Sequence, residues 1–209
     1  MDSNGKGRGP GKAPGVPAPG AGVVRIVGGR YRSRRLRVPP VAGLRPTPDR
    51  VRETLFNWLG QDLDGLACLD LFAGSGALGF EAASRGAARV VLVERDRRAL
   101  QELERGRAAI GAGEVEIVAA DAAAYLRRAG EGFDVVFLDP PFRQNALPAL
   151  LRDLPPRLRP GARVYVESEE EVPATPPWAE LRRGKAGQVR FQLLQWQPAA
   201  PDEAAGGSS

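Results

Sequence analysis

The residues with the clearest chemical potential are Asp139-Pro140-Pro141-Phe142, which follow the run Phe133-Asp134-Val135-Val136-Phe137-Leu138. That run is apolar after Asp134, as a strand buried in a parallel sheet would be. Ligands of open α/β sheets bind outside the carboxyl ends of the strands, so Asp139 emerges where a ligand would sit. An exocyclic amine on a nucleobase is a poor nucleophile, because its lone pair is delocalised into the ring. Its attack needs an acceptor pair that holds both N–H bonds while the nitrogen becomes tetrahedral. The Asp139 carboxylate and the Pro140 carbonyl can supply that pair, and Pro140 and Pro141 fix the backbone so that the acceptors are preorganised. Phe142 offers a ring on which an extruded base can stack, worth about 1–3 kcal/mol, against the few kcal/mol lost on flipping. The chain has no histidine, and none is needed, since the proton can leave to Asp139 or water after transfer. The plain structural alternative is a proline-stiffened loop around a buried Phe.

A second constellation lies upstream, in Asp70-Leu71-Phe72-Ala73-Gly74-Ser75-Gly76-Ala77-Leu78-Gly79. Gly74, Gly76 and Gly79 match G-x-G-x-x-G between a strand and a helix, a pattern that lets backbone approach a nucleotide-like ligand closely. Glu94 follows Gly74 by 20 residues at the end of the next strand, where a carboxylate can bind both ribose hydroxyls. Asp121 follows the third strand, placed to bind an adenine amino group or to hold the loop around it. Asp70, Phe72, Ala73, Gly74, Ser75, Gly76, Glu94 and Asp121 are therefore the candidate cofactor contacts, and an adenosine-type cofactor fits them. A dinucleotide enzyme would share the glycine pattern, and helix-capping acids at ordinary turns would account for the rest.

These residues need a scaffold, and the pattern supplies one. Short apolar runs at 66–72, 89–94, 115–119, 133–138 and 162–167 predict strands. Helical stretches near 77–85, 96–109, 121–129 and 145–157 separate them, as in a parallel sheet covered on both faces. Trp178 to Arg183 and Val189 to Trp196 flank Gly184-Lys185-Ala186-Gly187 and predict a terminal hairpin. Ahead of the sheet, Val23 to Val38 predicts a β-hairpin turning at Gly28-Gly29. In it Arg30, Arg32 and Arg34 share one face, and Arg35, Arg37 and Tyr31 the other. Thr47-Pro48-Asp49 reads as a helix start with Thr47 as N-cap, and Val51, Leu55, Trp58 and Leu59 give the helix one buried face. The expected fold is α/β: a doubly wound, Rossmann-like, mostly parallel sheet with an antiparallel edge hairpin, plus a small N-terminal β-hairpin and helix.

The 209 residues suffice for one domain of ordinary size. The net charge is +5, but residues 1–52 hold 12 Lys/Arg against 2 Asp/Glu, while 53–209 hold 18 against 23. A basic head on a mildly acidic body suits a polyanionic partner; a solubilising face is the bland alternative. Arg25, Arg30, Arg32, Arg34 and Arg35 are the candidate phosphate contacts. The single cysteine, Cys68, lies in an apolar run and reads as a packed thiol. One Cys and no His argue against a zinc site, so no metal is expected. No apolar stretch approaches 18 residues and the first 22 lack a secretory signal's apolar core, so a soluble, cytoplasmic protein is expected.

The glycine loop, Glu94, Asp121 and the Asp-Pro-Pro-Phe run together resemble the class I methyltransferases that modify amino groups of bases. More narrowly, Arg25 to Gly29, Leu44 to Leu59 and Asp70 to Gly79 resemble the RsmD family, bacterial 16S ribosomal RNA guanine-N2 methyltransferases. The resemblance runs from about Val23 to Trp196, and Arg45–Leu59 is its most specific part. It implies S-adenosyl-L-methionine as cofactor and a guanine 2-amino group as acceptor. It also implies 16S rRNA as partner; a small ribosomal subunit or its assembly intermediate as the particle that presents it, and a monomeric enzyme, are further expectations. It places the Arg45–Glu53 segment over the site, where Arg45 or Thr47 touches RNA or cofactor. The resulting organisation is a disordered basic tail (1–22), an RNA-binding hairpin and helix (23–60), a catalytic domain (61–197) and a second disordered tail (198–209). Glu167 to Glu171 is too acidic for an RNA surface and is expected away from the substrate. An adenine-N6 or cytosine-N4 methyltransferase acting on DNA or other RNA stays open, because the tetrapeptide suits any exocyclic amine. A NAD-dependent oxidoreductase lacks a hydride-transfer site here, and a non-catalytic RNA-binding module would leave Asp139–Phe142 without a role.

Overall fold

The computed structural model describes residues 22–39, 41, 46–128, 130, 132–141 and 146–198. The expected tails, except Gly22 and Pro198, lie outside them, as do Arg45 and Phe142.

Five strands run parallel: β3 (Ala67–Asp70), β4 (Arg89–Glu94), β5 (Val115–Ala119), β6 (Phe133–Leu138) and β7 (Leu158–Ser168). The antiparallel pair β8 (Trp178–Ala186) and β9 (Val189–Trp196) completes a seven-stranded sheet of order β5-β4-β3-β6-β7-β9-β8. From β3 the chain winds outward through β4 and β5, then returns to β6 on the other side of β3. The crevice between β3 and β6 is therefore the switch point at which such sheets bind ligands. Sheet residues alternate between two apolar cores. Cys68, Val135, Phe137 and Tyr165 face one, and Leu69, Val136, Leu138 and Val164 the other. Burial pushes the Cys68 thiol up to about 12, consistent with a packed, unreactive thiol.

Helices α2 (Ala77–Ser84), α3 (Arg97–Ile110), α4 (Ala122–Leu126) and α5 (Leu147–Asp153) connect the strands. A 3₁₀ turn at Pro155–Arg157 follows α5, so the single stretch expected at 145–157 is split, as prolines at 155 and 156 require. The edge hairpin is tighter than expected: β8 continues through Gly184, Lys185 and Ala186, and only Gly187-Gln188 turn.

The N-terminal segment departs most from the sequence expectation. Its two strands, β1 (Val23–Arg25) and β2 (Arg35–Arg37), pair over three residues each. Residues 26–34 form successive turns rather than a long second strand, so Arg30, Arg32 and Arg34 do not share a strand face. The reason is tertiary. The Val27 and Gly28 N–H groups donate to the two oxygens of Glu81, and the Arg30 N–H donates to the Ser84 carbonyl. At Gly29, with φ 71°, a Cβ would lie 1.8 Å from that carbonyl oxygen, so only glycine permits the approach.

Helix α1 (Asp49–Leu59) packs Leu55 and Phe56 into the core. Its C-terminal carbonyl at Leu59 accepts from Arg163 of β7. Arg52, fully buried in α1, is the polar centre of this region. It donates to the Thr47 and Arg25 carbonyls, to Asp49 at 2.6 Å and to Glu81 of α2 at 3.1 Å. Glu81, also fully buried, additionally takes Arg85 at 2.9 Å. Breaking one partner of a buried pair leaves the other charge uncompensated, at about 3–5 kcal/mol. Arg52→Met should lower unfolding free energy in urea by about that amount and expose the hairpin at residues 23–37 to protease before the sheet. A loss below about 1 kcal/mol, the range of exposed pairs, would mean that the network does not anchor the segment.

Candidate active site at the sheet switch point

Asp70 ends β3, and Asp139 follows β6. In the β6–β7 ladder Phe137 pairs with Tyr165 and Leu138 with Val166, so Asp139 leaves β6 one step beyond the last pair, close enough to Glu167 of β7 for the two carboxyls to interact. Asp70 pairs with Phe137, which puts all three carboxylates on one face at the top of the sheet. Among the described residues none of the three has an ion-pair partner. Asp70 accepts from the N–H groups of Phe72 at 3.4 Å and Gly79 at 3.2 Å. Glu167 Oε1 accepts from the hydroxyls of Thr47 at 3.0 Å and Tyr165 at 2.9 Å.

Burial dominates the electrostatics. It raises Asp70 to about 7, against the two N–H bonds that favour the anion. Asp139 is pushed well above the usual carboxylate range, first by burial, then by Glu167 and Asp70. Glu167 is raised by burial, with the two hydroxyls opposing. Burial and the neighbouring Glu167 carry Tyr165 well above its usual value, so it stays a donor.

The glycine loop forms as expected. The Glu94 carboxylate holds it, accepting from Gly74 N–H at 2.9 Å and from the N–H groups of Arg95 and Asp96. Gly79 serves helix-to-strand packing, since a Cβ there would lie 2.1 Å from Cδ2 of the fully buried Leu92. Asp121 acts as N-cap of α4, accepting from Ala123 and Ala124, and pairs with Arg95 at 3.5 Å.

Two hollows flank Asp139-Pro140. A small one, about 30 Å³, is lined by Thr47, Asp70, Phe72, Gly74, Ser75 and Asp139. A larger one, about 500 Å³, is lined by Pro140, Pro141, Leu147, Val172 and the acidic run Glu167–Glu171. That run therefore sits in the wall of the Asp139-Pro140 site, contrary to the expectation that keeps it away. A charge run taken alone reads as surface. The signal that corrects it is that the fourth and fifth predicted strands are neighbours, so their carboxyl ends meet. Thr47 also differs from expectation: Pro48 is the N-cap position of α1 and no side chain caps the helix. The Thr47 hydroxyl, buried in the site, is taken by Glu167 instead.

The expected phosphate contacts separate into two groups. Arg25 pairs with Asp49 at 3.5 Å and Arg30 with Glu114. Arg32, Arg34 and Arg35 are exposed and have no ion pair among the described residues.

Comparison with known proteins places this arrangement in context. A family model described as Conserved hypothetical protein 95 matches residues 24–195. The chain is 46% identical over 181 residues to Ribosomal RNA small subunit methyltransferase D of Escherichia coli, covering 84% of this chain and 91% of that one. It is 40% identical over 182 residues to the protein of the same name from Haemophilus influenzae, covering 83% and 94%. Among solved structures it resembles the putative methyltransferase yhhF from Escherichia coli, with TM-score 0.77, 46% identity and coverage of 84% and 99%.

The buried carboxylates give a pH signature of their own. A carboxyl whose folded value lies above its unfolded one favours the protonated native state. Its stabilisation is full below the unfolded value near 4 and is lost as pH rises through the folded one. For Asp70 that window ends at about 7. Asp70→Asn should therefore flatten the fall in melting temperature between about pH 4 and pH 7. An unchanged slope would show that Asp70 titrates normally.

Proposed function

Because this chain belongs to the family described as Conserved hypothetical protein 95, the RsmD family of the sequence resemblance, we propose that it methylates the exocyclic N2 amino group of a guanine in small-subunit ribosomal RNA. The observation that carries this reading is the placement of Asp139-Pro140 between a glycine-loop hollow and a second, larger cavity. Methyl transfer needs donor and acceptor on opposite sides of the reacting group, and the two hollows offer that.

The residues present fit S-adenosylmethionine, which when bound supplies an electrophilic methyl group on a positively charged sulfur. A site with three carboxylates and no paired cation among the described residues favours a positive ligand. Asp70, Gly74, Ser75 and Thr47 would hold its charged end, and Glu94 its ribose. Glu94 is already fixed by three N–H bonds, so it is preorganised to accept.

On the other side, the ionised Asp139 carboxylate and the Pro140 carbonyl accept the two N–H bonds of the amine and orient the nitrogen lone pair. Asp139 stabilises the positive charge that develops on nitrogen, and the proton then leaves to it or to water. Burial between Glu167 and Asp70 makes Asp139 a stronger base than a free carboxylate, which suits this step. Arg32, Arg34 and Arg35, free of ion pairs among the described residues, meet rRNA phosphates, and the enzyme acts as a monomer in the cytoplasm on the subunit or an assembly intermediate.

The purified protein should transfer labelled methyl from S-adenosylmethionine to small subunits lacking the mark and yield N2-methylguanosine; N6-methyladenosine instead would overturn the substrate assignment. Asp139→Ala should lower turnover by about 10²–10³-fold or more while still binding cofactor. Full turnover in that variant would remove Asp139 from the chemistry. Replacing Arg32, Arg34 and Arg35 by Gln should weaken RNA binding and reduce the slope of log K against log salt by about one unit for each phosphate no longer neutralised. An unchanged slope would make this face merely solubilising.

A further inference from the structure

Within the proposed guanine-N2 reading, one buried group has no part in cofactor binding or in holding the amine. Glu167 is 5% exposed, lines the 500 Å³ cavity beside Pro140, and stands next to Asp139 at the end of the neighbouring strand. Both of its protein hydrogen bonds, from Thr47 and Tyr165, go to Oε1. Among the described residues Oε2 takes none. Oε2 is not one of the enclosed atoms left without a partner, so it is open to a ligand in the cavity that Glu167 lines, and two hydroxyls from different elements fix the carboxylate's orientation. The arrangement fits a ligand N–H delivered through the cavity.

We propose that Glu167 selects guanine by accepting its N1–H while Asp139 and Pro140 hold the adjacent 2-amino group. The logic is the donor pattern beside the reacting amine. In guanine the 2-amino group is flanked by N1–H, a donor. In adenine the 6-amino group is flanked by N1, and in cytosine the 4-amino group by N3; both are acceptors with lone pairs. A carboxylate placed next to Asp139 attracts the first edge and repels the other two. The tetrapeptide accepts any exocyclic amine, so Glu167 supplies the discrimination that it lacks. A site built to bind an N–H rejects the analogue without it far more strongly than an apolar pocket rejects a missing methyl.

The test uses 2-aminopurine, which keeps the reacting 2-amino group but carries a bare N1. Reconstituted small subunits would hold either guanine or 2-aminopurine at the methylated position, and kcat/KM would be measured for each. The wild-type chain should prefer guanine by at least about 10²-fold. Glu167→Gln can offer an amide N–H to the bare N1, so it should lose about 10–100-fold on guanine and shrink the preference at least about tenfold. The absent O6 of 2-aminopurine burdens both enzymes alike, so the change in ratio isolates Glu167. Equal losses on both acceptors would overturn the proposal. Cofactor affinity reports whether the variant is folded. Should it not fold, Thr47→Val keeps the carboxylate and removes one orienting hydroxyl; it should narrow the preference in the same direction, and an unchanged preference there would also overturn the role. Methylation of a base other than guanine by the wild-type chain would instead overturn the guanine reading, and the role of Glu167 with it.

Discussion

The site depends on one buried ion pair that lines neither of its hollows, Arg52 with Glu81. A guanidinium and a carboxylate fully removed from water must each find several partners. The way these two satisfy that demand sets the position of the described hairpin and of Thr47. Glu81 takes two backbone N–H groups from the turn after β1, and Arg52 takes two backbone carbonyls, one at Arg25 and one at Thr47. The short hairpin has only three residue pairs and could not hold its place alone. It is fixed by being the hydrogen-bonding complement of a buried charge pair. The Thr47 carbonyl is bound by Arg52 while its hydroxyl is spent on Glu167, so Thr47 is held by backbone and side chain together beside the carboxylates.

That anchoring makes the carboxylate cluster tolerable. Asp70, Asp139 and Glu167 gather at the switch point without a paired cation among the described residues; burial pushes each of them upward, and neighbouring carboxylates add to it at Asp70 and Asp139. Such an arrangement weakens folding at neutral pH, and sites of this kind persist only where the surroundings over-determine them. Here the surroundings are the parallel ladder, which fixes β3, β6 and β7 in register, and two hydroxyls and two backbone N–H groups that partly stabilise the anions. The result is a site with stored negative potential, suited to a cationic methyl donor and to an amine that becomes cationic as it reacts.

Much of this is legible in the sequence because it follows from local rules. The alternation of short apolar runs and helical stretches gives the doubly wound sheet, and the β4, β5 and β6 boundaries agree with expectation. Asp139 at a strand end and Glu94 beside the glycine loop follow from the same periodicity. What is not legible depends on contacts between distant residues. Nothing in Gly28-Gly29 announces that the turn is shaped by Glu81, more than fifty positions on. Thr47 has the type of an N-cap, yet a carboxylate 120 positions away competes for its hydroxyl. Glu167 reads as the start of an acidic surface run. Its neighbours on β7 are buried, and strand alternation alone does not say which end of the strand meets Asp139.

The division of labour between Asp139 and Glu167 then follows from the pleat. On adjacent parallel strands, side chains at the same level point to the same face, so a ligand that meets one meets both. Asp139 sits at the strand end next to two prolines, where backbone and side chain both present acceptors and neither can relax. Glu167 sits inside β7, flanked by Tyr165 two positions back on its own face. Its geometry is set by hydroxyls rather than by proline rings. A rigid pair suits the amine, whose two N–H bonds must be held through a change of shape. A carboxylate tuned by hydroxyl donors suits recognition, because its worth changes with what lies opposite while its position does not. Chemistry common to all exocyclic amines and recognition of one base edge can thus be carried by neighbouring strands, which stay coupled through charge: a neutral residue at Glu167 would also lower the pKa of Asp139.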